Sequence, residues 1–148
     1  MATTMAAARF LPFLTPDEES ALLAAATPKS FERNQLVFDQ NVTLRAIYVI
    51  EEGSVRIERQ DRDKTIPLAI LAAGEFFGEM SFVDNAPTSA KVVADEPTRL
   101  RVIEESLVDS MVKKDPSLAG RLYRSIAAIL VERLRLTSMH LSIDKAWA

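Results

Sequence analysis

The sequence predicts an α+β fold in which an antiparallel β-sandwich or barrel lies between helical segments. Three observations predict it: a helix-capping sequence near the N-terminus, a central series of short β-rich runs, and a return to helical periodicity after residue 103. With 148 residues, of which 48% are hydrophobic and 26% charged, the chain can bury one core of ordinary size. We therefore expect a single domain over residues 1–148.

The N-terminal segment, about residues 10–30, is expected to be helical. Thr15 can cap a helix, Pro16 suits its first position, and Glu18 can complete a capping box. A short helix should therefore extend to about Ala26.

Residues 31–103 are predicted to form the barrel, because short β-rich runs alternate there with turn residues. The runs are Leu36–Phe38, Ile47–Ile50, Ser54–Glu58, Ile66–Leu71, Lys91–Ala94 and Arg99–Ile103. Gly53 follows two glutamates between the second and third runs, and a glycine there predicts a tight hairpin. The charged segment Asp61–Lys64 is expected to be a solvated strand connection.

Residues 104–142 are predicted to form two helices. The first should span Glu105 to Lys113, and the second is indicated by Asp115-Pro116, a capping residue followed by proline, and should reach about Leu141.

Two apolar stripes run along the second of these helices. The first stripe consists of Leu118, Leu122, Ile126, Ile129 and Leu136. The second consists of Tyr123, Ala127, Leu130, Leu134, Thr137 and Leu141, with the alternating steps of a coiled-coil seam. Because a surface helix needs one stripe, we expect the first to cover the barrel and the second to form a homodimer through helix 116–142. The alternative is a helix wrapped more deeply by its own domain.

Composition excludes several classes of function. A net charge of −3 argues against a nucleic-acid-binding surface, and we interpret the basic C-terminal residues, Arg133 among them, as a solvated helix face. The chain has no cysteine and His140 is its one histidine, so we expect no metal ligands, no catalytic residues and no cupin-type enzyme. No apolar run is long enough to span a membrane and the N-terminus does not resemble a signal peptide, so we expect a cytoplasmic protein.

One stretch carries the pattern of a binding site: Gly74 to Phe82, followed after a short loop by Pro87 to Val92. Gly78 lets the backbone approach a ligand closely, and the residues after it can begin a short helix whose free N–H groups attract an anion. Glu79 is unsuited to contact a phosphate, but its carboxylate can accept a hydrogen bond from a sugar hydroxyl.

This stretch, the segment Tyr48–Gly53 and the closing helices resemble the cyclic-nucleotide-binding domain family over nearly the whole chain. The resemblance implies a jelly-roll-like barrel (a double-stranded β-helix) with a cassette at residues 74–92 that binds cyclic AMP or cyclic GMP, with no other cofactor. It implies that Glu79 binds the ribose 2′-hydroxyl and that neighbouring amides face the phosphate. The ligand-binding residues expected from it are Phe77, Gly78, Glu79, Met80, Ser81, Thr88, Ser89, Ala90, Thr137 and Ser138.

The sequence departs from the family at Thr88, where the resemblance implies an arginine after Pro87. Loss of a buried, charge-assisted contact costs about 2–5 kcal/mol, so affinity for a phosphate should fall strongly. Lys91 is a poor substitute, since strand alternation places it on the opposite face, whereas Arg45 and Arg56 are further candidates. The Thr88 and Ser89 hydroxyls could still donate hydrogen bonds to a phosphate.

Two functions remain open at this point. The first is a non-catalytic sensor that binds a cyclic nucleotide or a related small ligand and signals through its C-terminal helices. The second is a degenerate domain that binds no cyclic mononucleotide, and instead acts in dimerisation or protein docking or binds a cyclic dinucleotide. Because no helix-turn-helix segment follows the long helix, we expect no direct DNA binding, and an output through an unidentified protein effector or dimerisation.

Overall fold

The computed structural model describes residues 10–143, and it describes side chains up to residue 136. The elements in chain order are α1 (Pro16–Ala25), β1 (Thr27–Phe31), β2 (Leu36–Phe38), β3 (Ala46–Glu52), β4 (Ser54–Asp61), β5 (Lys64–Ala72), β6 (Phe76–Phe77), α2 (Glu79–Asp84), β7 (Lys91–Ala94), β8 (Thr98–Glu104), α3 (Glu105–Lys114) and α4 (Ser117–Ile143).

The strands form two four-stranded antiparallel sheets with the orders β1-β8-β3-β6 and β2-β7-β4-β5. The predicted α+β fold, a jelly-roll-like barrel flanked by helices, is therefore confirmed. Strands β2 and β7 have the predicted ends, and the other four predicted strands extend beyond theirs. No helix within the described residues is long and apolar enough to cross a membrane.

One hydrophobic core fills the space between the two sheets. It is built from alternate residues of the strands, as expected where side chains point to opposite faces of a sheet. Its buried members are Phe38, Ala46, Tyr48, Ile50, Val55, Phe77, Val92, Leu100 and Val102. Tyr48 stacks on Phe77 with ring centroids 5.2 Å apart, so this core reaches directly to the cassette.

A second core lies where the helices cover the outer face of the first sheet. Ile47, Val49 and Ile103 of the sheet meet apolar residues of the N-terminal segment, α1, α3 and α4 there. Leu118, Leu122 and Ile126 of α4 are buried in this core and Ile129 packs against it, so the first stripe covers the barrel over these four residues. The prediction is wrong for Leu136, the fifth residue of the stripe, which is 58% exposed. The exposed residues of the second stripe include Tyr123 (43%) and Leu134 (65%), and the dimer that this stripe predicts stays a prediction.

Hydrogen bonds and an ion pair hold the N-terminal half of α4 against α1 and the segment before it. The predicted capping box of α1 is present, with the Thr15 side chain accepting from the Glu18 N–H. Glu18 also pairs with Arg121 of α4, and the Phe13 N–H donates to the Ser125 hydroxyl at 2.8 Å. These contacts form a clamp that holds the first turns of α4 against α1 and the segment before it.

The structure corrects three features of the predicted barrel. Strand β1 occupies Thr27–Phe31, which was assigned to the helical segment 10–30, and β6 was not predicted. The hairpin at Gly53 is wrong: β3 and β4 belong to different sheets, and Gly53 (φ +89°) forms the corner between them. A side chain is excluded there, because a Cβ atom would lie 2.5 Å from the Pro97 carbonyl oxygen.

The paired hairpin lies one connection later, between β4 and β5. Asp61 faces Lys64 across a two-residue turn in which Arg62 has a φ of +57°. The solvated strand connection predicted over these four residues is thus confirmed, and it is the tip of the longest strand pair.

Candidate ligand-binding site

A cavity of about 390 Å³ opens between the second sheet, the cassette and α4. This volume lies within the range typical of small-molecule sites. It is lined by Phe38, Ile57, Ala69, Leu71, Phe77, Gly78, Glu79, Met80, Ser81, Thr88, Ser89, Ala90, Val92, Leu130, Arg133 and Leu134. The lining is mostly apolar, with its polar groups concentrated in the cassette and at Arg133.

Gly78 positions the cassette by letting the chain turn tightly beneath α2. Its φ of +84° is one that residues with side chains rarely adopt, and a Cβ atom would lie 3.0 Å from the Ala46 carbonyl oxygen and 3.1 Å from the Tyr48 ring. The turn therefore needs glycine on two grounds. It places Glu79 at the start of α2 and directs its side chain into the cavity.

Glu79 is a buried carboxylate, 5% exposed, at the floor of the cavity. Its Oε1 accepts a hydrogen bond of 2.8 Å from Nη1 of Arg133. Burial raises the pKa of the Glu79 carboxyl, and the hydrogen bond to its own backbone N–H and the charge of Arg133 oppose this effect only in part. The carboxylate is thus held in an environment that disfavours its charge.

Arg133 is the candidate site residue that the sequence analysis missed, since it was interpreted as part of a solvated face. Its Nη2 donates to the Phe76 carbonyl oxygen at 2.7 Å, and its guanidinium lies 5.0 Å from the centre of the Phe76 ring. A signal was present: Leu130, Arg133 and Leu134 share one helix face by their spacing. That face borders the cavity.

Thr88 lines the cavity, but its hydroxyl bonds to the loop between β2 and β3. It donates to the Asp39 carbonyl oxygen at 2.7 Å and accepts from the Val42 N–H at 3.0 Å. Because a hydroxyl has one proton, the expected hydrogen bond from Thr88 to a phosphate is not available in this arrangement. Thr88 therefore supports the site's shape rather than its charge.

The structure brings most of the other predicted site residues together. Phe77, Ser81, Ser89 and Ala90 line the cavity, and Met80 lies at its mouth with 55% of its surface exposed. Thr137 and Ser138 belong to α4, but their side chains lie outside the described residues.

The basic residues considered as substitutes for the missing arginine do not line this cavity. Lys91 faces away and pairs with Glu58 at 3.8 Å, as strand alternation predicts. Arg45 pairs with Glu105, and Arg56 pairs with Asp95 at 3.0 Å. Among the residues whose side chains are described, Arg133 is the one cation that lines the cavity. The same part of the chain holds no cluster of potential metal ligands.

Comparison with known proteins places this chain in a family. The model of the cyclic nucleotide-binding domain matches residues 28–115, more than half of the chain. The cyclic AMP receptor protein of Thermus thermophilus is 30% identical over 133 residues, covering 88% of this chain and 59% of that protein. Cyclic GMP-binding protein C of Dictyostelium discoideum is 28% identical over 123 residues, covering 82% of this chain and 5% of that protein.

The crystal structure of the Thermus thermophilus catabolite activator protein has a similar fold. It superposes with a TM-score of 0.76 at 28% identity and covers 92% of this chain and 62% of that one. The chain thus spans less than two thirds of the length of these relatives, and the shared part contains the barrel, the cassette and the closing helices. On the family match, the chain belongs to the cyclic nucleotide-binding domain family.

Proposed function

We propose that this chain is a non-catalytic regulatory module that binds a cyclic mononucleotide in the cavity and transmits binding through α4. One observation carries the proposal: residues of the cassette and of α4 line the same cavity. A ligand in it contacts the barrel and the long helix at once.

The cavity offers complementary surfaces to the parts of such a ligand. The buried Glu79 carboxylate supplies an acceptor for a ribose hydroxyl. The apolar residues of the second sheet and α4, such as Ile57, Leu71 and Leu130, supply a surface for the base. Relatives that bind cyclic AMP or cyclic GMP by their names support this ligand class.

We expect α4 to transmit ligand binding because its two halves are held differently. Its first turns are clamped to the N-terminal segment through Arg121 and Ser125, whereas Leu130, Arg133 and Leu134 border the cavity. A ligand that contacts these three residues better in one helix position than in another shifts the population toward that position. The second stripe of α4 then carries the change to a second protomer or to a protein effector.

Calorimetric titration with cyclic AMP, cyclic GMP and a cyclic dinucleotide tests this proposal. Ala69 lines the cavity from exposed strand β5, so Ala69→Trp should fill it and abolish binding. Ile70 is the next residue and is 64% exposed but does not line the cavity, so Ile70→Trp is the matched control and should retain binding. Equal binding by both variants would place the ligand elsewhere.

The degenerate, docking function remains the second candidate, and a specific observation favours it. Thr88 supplies no charge and uses its hydroxyl proton internally, while Arg133 is already paired with Glu79. Under this alternative the wild-type protein gives no binding heat with either cyclic mononucleotide. A response to the cyclic dinucleotide alone would identify the ligand as that larger anion.

A further inference from the structure

We propose that an anionic ligand takes the Arg133 guanidinium away from Glu79 and that the Glu79 carboxyl takes up a proton as the ligand binds. This inference rests on the proposed function and adds to it a coupling between ligand binding and pH. The geometry points to it, because the cavity has a single described cation, Arg133, which Glu79 and an anionic ligand would have to share.

The first step concerns the charged groups that line the cavity. Glu79 of α2 and Arg133 of α4 are the charged groups among the described residues that line it, and they form an ion pair of 2.8 Å. The wall residues from β2, β4, β5 and β7 are apolar, and the loop before β7 contributes only the hydroxyls of Thr88 and Ser89. The two lining charges therefore cancel before a ligand arrives.

The second step concerns how an anionic ligand changes the balance between the Glu79 and Arg133 charges. A cyclic phosphate carries a negative charge, so its entry leaves two anions facing one guanidinium. Among the residues with described side chains, no other basic residue lines the cavity. Lys91, Arg45 and Arg56 are paired with carboxylates elsewhere. Two anions that share one buried cation cannot both stay ionised at low cost, so one of them gains a proton.

The third step identifies which group is protonated. A phosphodiester is too acidic to be protonated near neutral pH, whereas Glu79 is a carboxyl that is only 5% exposed. Burial already raises the pKa of Glu79 while Arg133 is in place, and removal of that cation raises the pKa further. The neutral carboxyl keeps a carbonyl oxygen that can accept the ribose hydroxyl.

Arg133 is also well placed to move between the two anions. Its side chain is 30% exposed on the cavity wall, and it belongs to the same helix face as Leu130 and Leu134, which also line the cavity. In this structure, contacts with Glu79 and with the Phe76 carbonyl oxygen hold the guanidinium. The guanidinium thereby supplies the phosphate charge that Thr88 lacks. The same movement links ligand entry to the part of α4 that carries the second stripe.

The experiment is calorimetric titration of the whole chain with cyclic AMP in two buffers of different ionisation enthalpy. The difference in heat gives the number of protons taken up. We expect a clear fraction of a proton per ligand, and an affinity that rises from about pH 8 to about pH 6 with a slope of up to about tenfold per pH unit. Binding without proton uptake across this range would overturn the exchange and leave the proposed function standing.

Two variants sharpen the test. Glu79→Gln keeps an acceptor but cannot titrate, so it should bind cyclic AMP without proton uptake and, at about pH 8, at least as tightly as the wild type. Thr88→Arg adds a second cation, so it should bind at least about tenfold more tightly and with less proton uptake. Ser89→Arg, at an exposed position lining the cavity, makes the same test if Thr88→Arg does not fold.

The outcomes distinguish a failure of the proposed function from a failure of the proton uptake alone. No binding heat with wild type, Glu79→Gln and both arginine variants would overturn the proposed function and this inference together. Binding in which Glu79→Gln shows the same proton uptake as wild type would assign the proton to another group and overturn the inference alone.

Discussion

Glu79 and Thr88 are buried polar residues of the same cavity, but their surroundings differ. Thr88 satisfies its hydrogen-bonding capacity within the fold, by joining the loop before β7 to the loop before β3. Glu79 has a buried charge whose environment raises its pKa, although Arg133 lies beside it. A buried carboxylate contributes little to stability in such a position, and the proposed function gives Glu79 a role as the acceptor for a ligand hydroxyl.

Thr88→Val tests the structural role of the threonine hydroxyl. The change keeps the shape of the side chain but leaves the Asp39 carbonyl and the Val42 N–H without their partner. We expect a loss of about 1–2 kcal/mol in the free energy of unfolding, or a Tm lower by about 2–8 °C. Thermal unfolding measured by circular dichroism gives this value. Ser89→Ala, at the exposed neighbouring position, should have almost no effect, and equal effects of both changes would contradict the assignment.

At the scale of elements, local signals predicted the helices and most strands, because caps and alternation act within a few residues. Thr15, Pro16 and Glu18 begin α1 as expected, since the capping box is a contact between near neighbours. The prediction of a hairpin at Gly53 was wrong, because a glycine with a positive φ can form a corner between two sheets as well as a turn within one sheet. Which strand pairs with which depends on contacts distant in sequence.

The candidate site was predictable to the same limited extent. Gly78 and Glu79 belong to a continuous motif, so the cassette could be found from sequence. Arg133 lies 54 residues away from Glu79, and only the packing of α4 across the barrel brings the two together. The engagement of the Thr88 hydroxyl likewise depends on a loop 46 residues earlier.

The clamp between α1 and α4 has a testable pH dependence. Hydrogen bonds from Arg121 and from the Thr15 backbone lower the pKa of Glu18 to about 2, from an ordinary value of 4.5. A lowered pKa means that the contribution to stability is present above about pH 4.5 and is lost as the pH falls through about 2. Glu18→Gln keeps the capping geometry and should weaken the pH dependence of the urea midpoint in this window. A urea midpoint that falls as steeply with pH in Glu18→Gln as in the wild type would contradict this contribution.

At the scale of the whole molecule, α4 joins the anchored core to the second stripe, in which Leu130 and Leu134 border the cavity. Tyr123 and Leu134 expose 43% and 65% of their surface in a single chain, and a second copy of the helix would cover both. The predicted dimer would place the stripes of two protomers against each other. Movement of α4 at the cavity would then alter the dimer as well.

Ala127→Glu tests this dimer, because it puts a charge in the middle of the exposed stripe. Leu136→Glu is the matched control, since Leu136 is 58% exposed and lies on the opposite side of the helix. Sedimentation velocity at tens of micromolar should show a dimer for the wild type and Leu136→Glu, and a monomer for Ala127→Glu. A wild-type protein that sediments as a strict monomer would remove the dimer from the account.

The central claim is that a cyclic mononucleotide enters the cavity and contacts the barrel and α4 together. Hydrogen–deuterium exchange with and without a large excess of cyclic AMP tests it most directly, because it reports on each segment separately. We predict slower exchange in residues 76–84, in residues 88–92 and in the part of α4 from Leu130 to Leu136, with little change in α1. Unchanged exchange in all three segments, or protection confined to a region away from the cavity, would contradict the claim.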